Sequence, residues 1–165
     1  MWLFEQAKPT VCPWVARCCI LYQAHTVLPV VGVTDFSGSL TPDGTYALTA
    51  PLQDFTVSGY TLTNASAALD NNGLVVTATT TVPVVGNVNL TGDLTVDGHY
   101  SLTASVPTVN VLGFTLNNVS VTIDDAHNLT LGAMATLPVV GDVTFAGTAT
   151  PDGQYSLSAS AGNSV

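Results

Sequence analysis

Asn87–Gly113, NVNLTGDLTVDGHYSLTASVPTVNVLG, decides the fold, because it reads as one β-hairpin followed by a return segment. Val88, Leu90, Leu94 and Val96 alternate with Asn89, Thr91, Asp93 and Thr95. That is the period-2 pattern of a strand with one face buried. Asp97 and Gly98 supply turn chemistry: aspartate bonds its own backbone and glycine accepts a left-handed conformation. Tyr100 and Leu102 then resume the apolar face.

The rest of the chain repeats this stretch. Glycines close successive copies at Gly32, Gly59, Gly86, Gly113 and Gly141, spaced 27, 27, 27 and 28 residues apart. Aspartates recur in step at Asp43, Asp70, Asp97, Asp124 and Asp152. Two markers with one period establish an internal repeat. Odd copies share a short Asp-Gly tip followed by tyrosine (Tyr46, Tyr100, Tyr155). Even copies have longer tips, Asp70–Gly73 and Asp124–Asn128, and open on an aromatic residue with Thr-Leu (Tyr60, Phe114). The full period is therefore about 54 residues, two hairpins or four strands. The segments LPVVG (Leu28–Gly32), VPVVG (Val82–Gly86) and LPVVG (Leu137–Gly141) carry a proline, which removes a ladder donor and places them at strand ends, edges or corners. The fifth unit stops at Val165 before its return segment, as expected of one part of a longer repeat array.

No run shows a 3.6-residue period, and β-branched residues dominate, so the fold class is all-β. Asp-Gly tips favour hairpins, which predicts antiparallel tandem β-hairpin repeats of about ten strands in an elongated meander or a sandwich. The alternative is a β-solenoid with about 27 residues per coil.

Composition divides the chain. Residues 1–25 hold all three cysteines (Cys12, Cys18, Cys19), both tryptophans, both basic residues (Lys8, Arg17) and the single glutamate. From Thr26 onward the only charged side chains besides histidine are ten aspartates. The sequence thus predicts an N-terminal extension, 1–25, and a β-repeat domain, 26–165. Residues 1–25 lack a basic start before an apolar run, and Arg17 interrupts that run, so they do not read as a standard signal peptide. No stretch of about 20 apolar residues suits a transmembrane helix. The cysteines lack C-x-x-C spacing, which leaves zinc unsupported and a disulfide framework in the body impossible. A net charge of −9 with two basic residues excludes a nucleic-acid partner, since nothing neutralises the phosphates.

Hairpins in one sheet would bring Asp97, Asp124 and Asp125 together with His99 and His127 on neighbouring tips about 10 Å apart. These three aspartates are the candidate Ca²⁺ ligands, because calcium takes carboxylate and carbonyl oxygens, although aspartate is also an ordinary turn residue. Thr-x-Thr pairs (Thr61/Thr63, Thr77/Thr79, Thr148/Thr150) suggest an ice-binding face, but threonine is also the usual polar residue of an exposed strand. Phe36, Leu90, Phe114, Leu116 and Phe145 could line a groove for an apolar or lipid ligand; core packing is the common fate of such a stripe. N-x-Ser/Thr sequons occur at Asn64, Asn89, Asn118 and Asn128, as expected by chance in a chain rich in these residues. Catalysis finds no G-x-S-x-G elbow, no phosphate loop and no cysteine in the body. The sequence predicts a structural or adhesive extracellular module without catalytic activity, joining copies of itself or neighbouring repeat modules, since no lysine blunts its strand edges. The alternative is a binding module for an apolar ligand on the inner face of the sheet, with ice binding third.

Overall fold

The computed structural model describes residues 20–95, 97–111, 113–126 and 129–162. The readings of residues 1–19, including Cys12, Cys18 and Cys19, and those of His127 and Asn128 lie outside them.

Among the described residues twelve strands form: β1 (Ile20–Leu28), β2 (Gly32–Leu40), β3 (Tyr46–Pro51), β4 (Phe55–Val57), β5 (Tyr60–Asp70), β6 (Gly73–Val82), β7 (Gly86–Leu94), β8 (Tyr100–Val111), β9 (Phe114–Asp124), β10 (Leu129–Leu137), β11 (Gly141–Ala149) and β12 (Tyr155–Ala161). Every pairing is antiparallel, and the order β1-β2-β3-β5-β6-β7-β8-β9-β10-β11-β12 is a hairpin meander in one open sheet, with β4 paired to the start of β5. This is the all-β antiparallel repeat expected from the tips, and not a solenoid. Twelve strands stand where about ten were expected. Leu52–Asp54 divides into β3 and β4 a row that β8 crosses as one strand, and β1 starts at Ile20. β1 therefore crosses the compositional boundary at 25/26, pairing with β2 from Ile20↔Leu40 to Leu28↔Gly32.

The turns follow their residues. At all three odd tips the first threonine N–H takes the carbonyl of the residue four places on (Thr41 to Thr45, Thr95 to His99, Thr150 to Gln154), and the glycine N–H bonds back to that threonine. With Gly44 at φ +85 this is a type I turn closed by a left-handed glycine. Ser58 and Gly59, at φ +50 and +81, make the two-residue turn between β4 and β5. The Pro-Val-Val-Gly segments are corners and not strands. Val31 N–H reaches Pro29 O at 2.8 Å around Val30, a γ-turn that holds a β-branched residue at φ +70. Val84, at the same place in its segment, stands at φ +74.

The sheet does not stay flat, and two short pairings show where its strands splay. β2 and β3 share four residue pairs, as do β7 and β8, and the strands then part. At each fork stands Gly38 or Gly92, with Gly147 equivalent on β11. A Cβ on these would lie 2.0, 1.8 and 1.9 Å from a carbonyl oxygen of the facing strand. The backbones are thus closer than any side chain permits, and the sheet coils over its inner face. Corners of the first half then rest on tips of the second: Gly98 faces Pro29, Gly59 faces Pro151, and Ser58 Oγ hydrogen-bonds the Tyr100 hydroxyl at 3.1 Å.

The enclosed face is the core. Phe36, Leu62, Val82, Leu90, Val121, Ile123 and Leu129 are fully buried on it. Each such large side chain contributes about 1.5–3 kcal/mol by leaving water. Leu116 is buried in a smaller second cluster with Val109, Val119, Ala133 and Ala135, and Phe145 packs against it half-buried. Phe114 departs from the core expectation and is 58% exposed.

Candidate functional site

The tips come together in pairs and not as a row of five. Asn71 at the β5–β6 tip accepts from Tyr46 N–H at 3.0 Å and donates to Gly44 O at 3.3 Å, locking that tip to the β2–β3 tip. One period later His99 Nδ1 hydrogen-bonds the Asp125 carboxylate, and Asp125 N–H donates to Tyr100 O at 3.2 Å. Asp125 raises the pKa of His99 above the ordinary 6.5 by hydrogen bond and charge, and Asp97 adds charge alone. Both partners are exposed, at 72% and 39%, so the pair positions the tips more than it stabilises the fold. Asp43 behaves differently: the Thr41 hydroxyl, then the Thr45 backbone, hold its carboxyl below the ordinary 3.8.

Of the three candidate calcium ligands, Asp125 meets His99, and Asp97 is close enough to act on that histidine through charge. Asp124 turns Oδ1 inward, where it finds no hydrogen-bond donor among the described residues. No three His, Cys, Asp or Glu side chains converge among the described residues. The fifth tip, with Asp152, lies against the β4–β5 corner instead. There burial, then the charge of Asp152, raises the Tyr60 pKa above 10.0.

The outer face carries an order that sequence reading did not see. Cross-strand register aligns Ser66, Thr77, Thr91, Thr103, Thr122, Thr130, Thr148 and Ser156 into one ladder across β5–β12. These residues belong to strands of opposite direction, so their spacings in the chain alternate and hide the alignment. The ladder crosses the β7–β8 pairing at Thr91↔Thr103, the last residue pair before those strands part. The sequons at Asn64 and Asn118 also have a structural cause. Each asparagine sits at φ +50 or +51 in a β-bulge, where β5 and β9 shift register against β6 and β10. Asparagine tolerates that left-handed conformation.

The inner face holds a cleft of about 580 Å³ between the β1–β2 layer and β5–β7. Ala24, Thr26 and Leu28 of β1 with Phe36 of β2 form one wall. Leu69, Leu74 and Leu94 form the facing wall, and Asn72, Asp93 and Thr95 also border it. It exists because β1 offers small residues, Ala24 and Thr26, at inward positions opposite the leucines. Pro29 props the layers apart by resting on the β7–β8 tip beside Gly98. Its size lies within the 300–1,000 Å³ range typical of small-molecule sites. Of the five residues named in the sequence for an apolar groove, Phe36 lines it; half-buried Leu69 and Leu74 were the missed contributors.

Comparison with protein-family models, curated proteins and solved structures finds no match to this chain. Among the described residues no helix is long and apolar enough to cross a membrane.

Proposed function

We propose that this protein is a structural or adhesive module that joins copies of itself, or neighbouring repeat modules, through open strand edges, without catalysis. One observation carries the reading: β12. All seven of its residues are exposed, and it pairs with β11 on one side only among the described residues. Its sequence, Tyr155-Ser-Leu-Ser-Ala, repeats Tyr46-Ala-Leu-Thr-Ala of β3 and Tyr100-Ser-Leu-Thr-Ala of β8. β3 and β8 each take a second partner on the far side, β5 and β9. β12 is therefore a strand of a type that pairs on both edges, and Tyr155–Ala161 contains no charge and no proline to discourage a new partner. An extracellular setting belongs to this reading, since residues 26–165 offer no Lys or Arg to trypsin-like proteases.

Sedimentation of the full chain over a range of concentrations tests it. Dimers or longer chains are expected, and Leu157→Lys, which places a charge on the exposed β12 face, should leave monomers with an unchanged melting temperature. A wild-type chain that stays monomeric throughout overturns the reading.

A further inference from the structure

We infer that β12 pairs with an extended segment of the β5/β9 type from a neighbouring repeat module, added antiparallel so that apolar residues stand beside Leu157 and Ala159 and an aspartate beside Ser156. The inference rests on the open-edge reading and names the partner of that edge. The internal repeat supplies the argument, because it shows twice what covers a strand like β12. A Cβ on Gly147 would lie 1.9 Å from Ser156 O, as one on Gly92 would lie 1.8 Å from Ser101 O, so β12 sits on β11 as β8 sits on β7. On its far side β8 pairs with β9, whose register sets Ile123 beside Leu102, Val121 beside Ala104 and Asp124 beside Ser101. β5 repeats this along β3, with Leu69 beside Leu48, Ala67 beside Ala50 and Asp70 beside Ala47. Leu102 is 2% exposed under that cover, whereas Leu157, its counterpart on β12, is 37% exposed.

Backbone pairing agrees. In β8, Ala104–Val106 have left β7 and pair with β9, while their counterparts Ala159–Ala161 stay on β11. The residue after the partner strand's aspartate also bonds the tyrosine backbone: Asn71 accepts from Tyr46 N–H at 3.0 Å, and Asp125 N–H donates to Tyr100 O at 3.2 Å. Tyr155 holds that place on β12. Main-chain hydrogen bonds along such an edge give affinity, and alternate side chains give selectivity. The segment comes from outside a folded copy of this chain, where β5 and β9 are already paired on both sides. β1, the other edge strand among the described residues, is of another type: it precedes β2 as β6 precedes β7 and β10 precedes β11.

Fluorescence anisotropy of a labelled peptide, Phe114–Asp125 (FTLNNVSVTIDD), titrated with the full chain tests this pairing. Saturable binding of one peptide per chain is expected. Ile123→Asp in the peptide places a charge beside Leu157 and leaves the protein's fold untouched. It should weaken binding at least about tenfold, the order expected for losing one buried branched side chain. A β10 peptide, Leu129–Leu137, comes from a strand that meets only β9 and β11 and should bind at least about tenfold more weakly. A spin label at the C-terminus of the β9 peptide should broaden the Ser156 amide signal more than that of Ala161, and one at its N-terminus the reverse. No saturable binding, equal binding of the Ile123→Asp or β10 peptide, or broadening at β1 in place of β12 overturns the inference. A chain that self-associates in sedimentation while ignoring the peptide keeps the open-edge reading and loses this partner.

Discussion

Gly92→Ala tests the splay on which the fold depends. A Cβ at position 92 would lie 1.8 Å from Ser101 O and 2.8 Å from the Leu102 Cα, 1.2 Å short of the 3.0 Å that real Cβ contacts respect. The obstacle is backbone, so β7 and β8 must separate where only four residue pairs join them. Losing two of those ladder bonds costs about 1 kcal/mol each, and overpacking adds about 1–3 kcal/mol. The expected loss is about 3–5 kcal/mol, which lowers the melting temperature by roughly 10 °C in a domain of this size. The control is Gly132→Ala on β10, where the new Cβ meets only the Ser120 hydroxyl at 2.6 Å, a side-chain atom that can rotate away. That variant should lose less than about 1 kcal/mol. Circular dichroism melts with urea titration measure both. If Gly92→Ala melts within about 2 °C of wild type, or Gly132→Ala costs as much, close backbone approach is not what shapes the sheet.

Three further outcomes follow from local geometry. His99 should titrate above 6.5 by NMR, and its contribution is present at low pH and lost as pH rises through that raised value; Asp125→Asn should return the midpoint toward 6.5, and an unmoved midpoint would remove the tip clamp. Val84→Gly should raise stability by roughly 1 kcal/mol in a urea melt, because a β-branched residue at φ +74 is strained and glycine is not; a net loss would mean that the half-exposed valine is held by packing. Asn118→Gly should be neutral or stabilising while Asn118→Val costs about 1–2 kcal/mol, and equal effects would show that the bulge does not depend on its left-handed residue.

Local chemistry made much of this protein legible in one dimension. Alternation at Val88–Leu94, the Asp-Gly tips and the 27-residue period each depend on residues within a few positions, and they yielded the strands, the turns and the antiparallel meander. They also placed Asp97, Asp124 and Asp125 at tips. What those tips do was not legible. His99 meets Asp125 across 26 residues and Asn71 meets Gly44 across 27, contacts that require adjacent hairpins to stand in register. Glycine at positions 38, 92 and 147 recurs with the repeat, yet its meaning lies in a facing carbonyl that no local pattern reveals. The threonine ladder and the inner cleft are of the same kind. Sequence alone determined which residues form most of the strands and which face most of their side chains take, because backbone stereochemistry and period-2 burial act locally. Only the tertiary structure decided which strands splay, which rungs align and where space remains between layers, because these depend on how a twisted sheet coils upon itself.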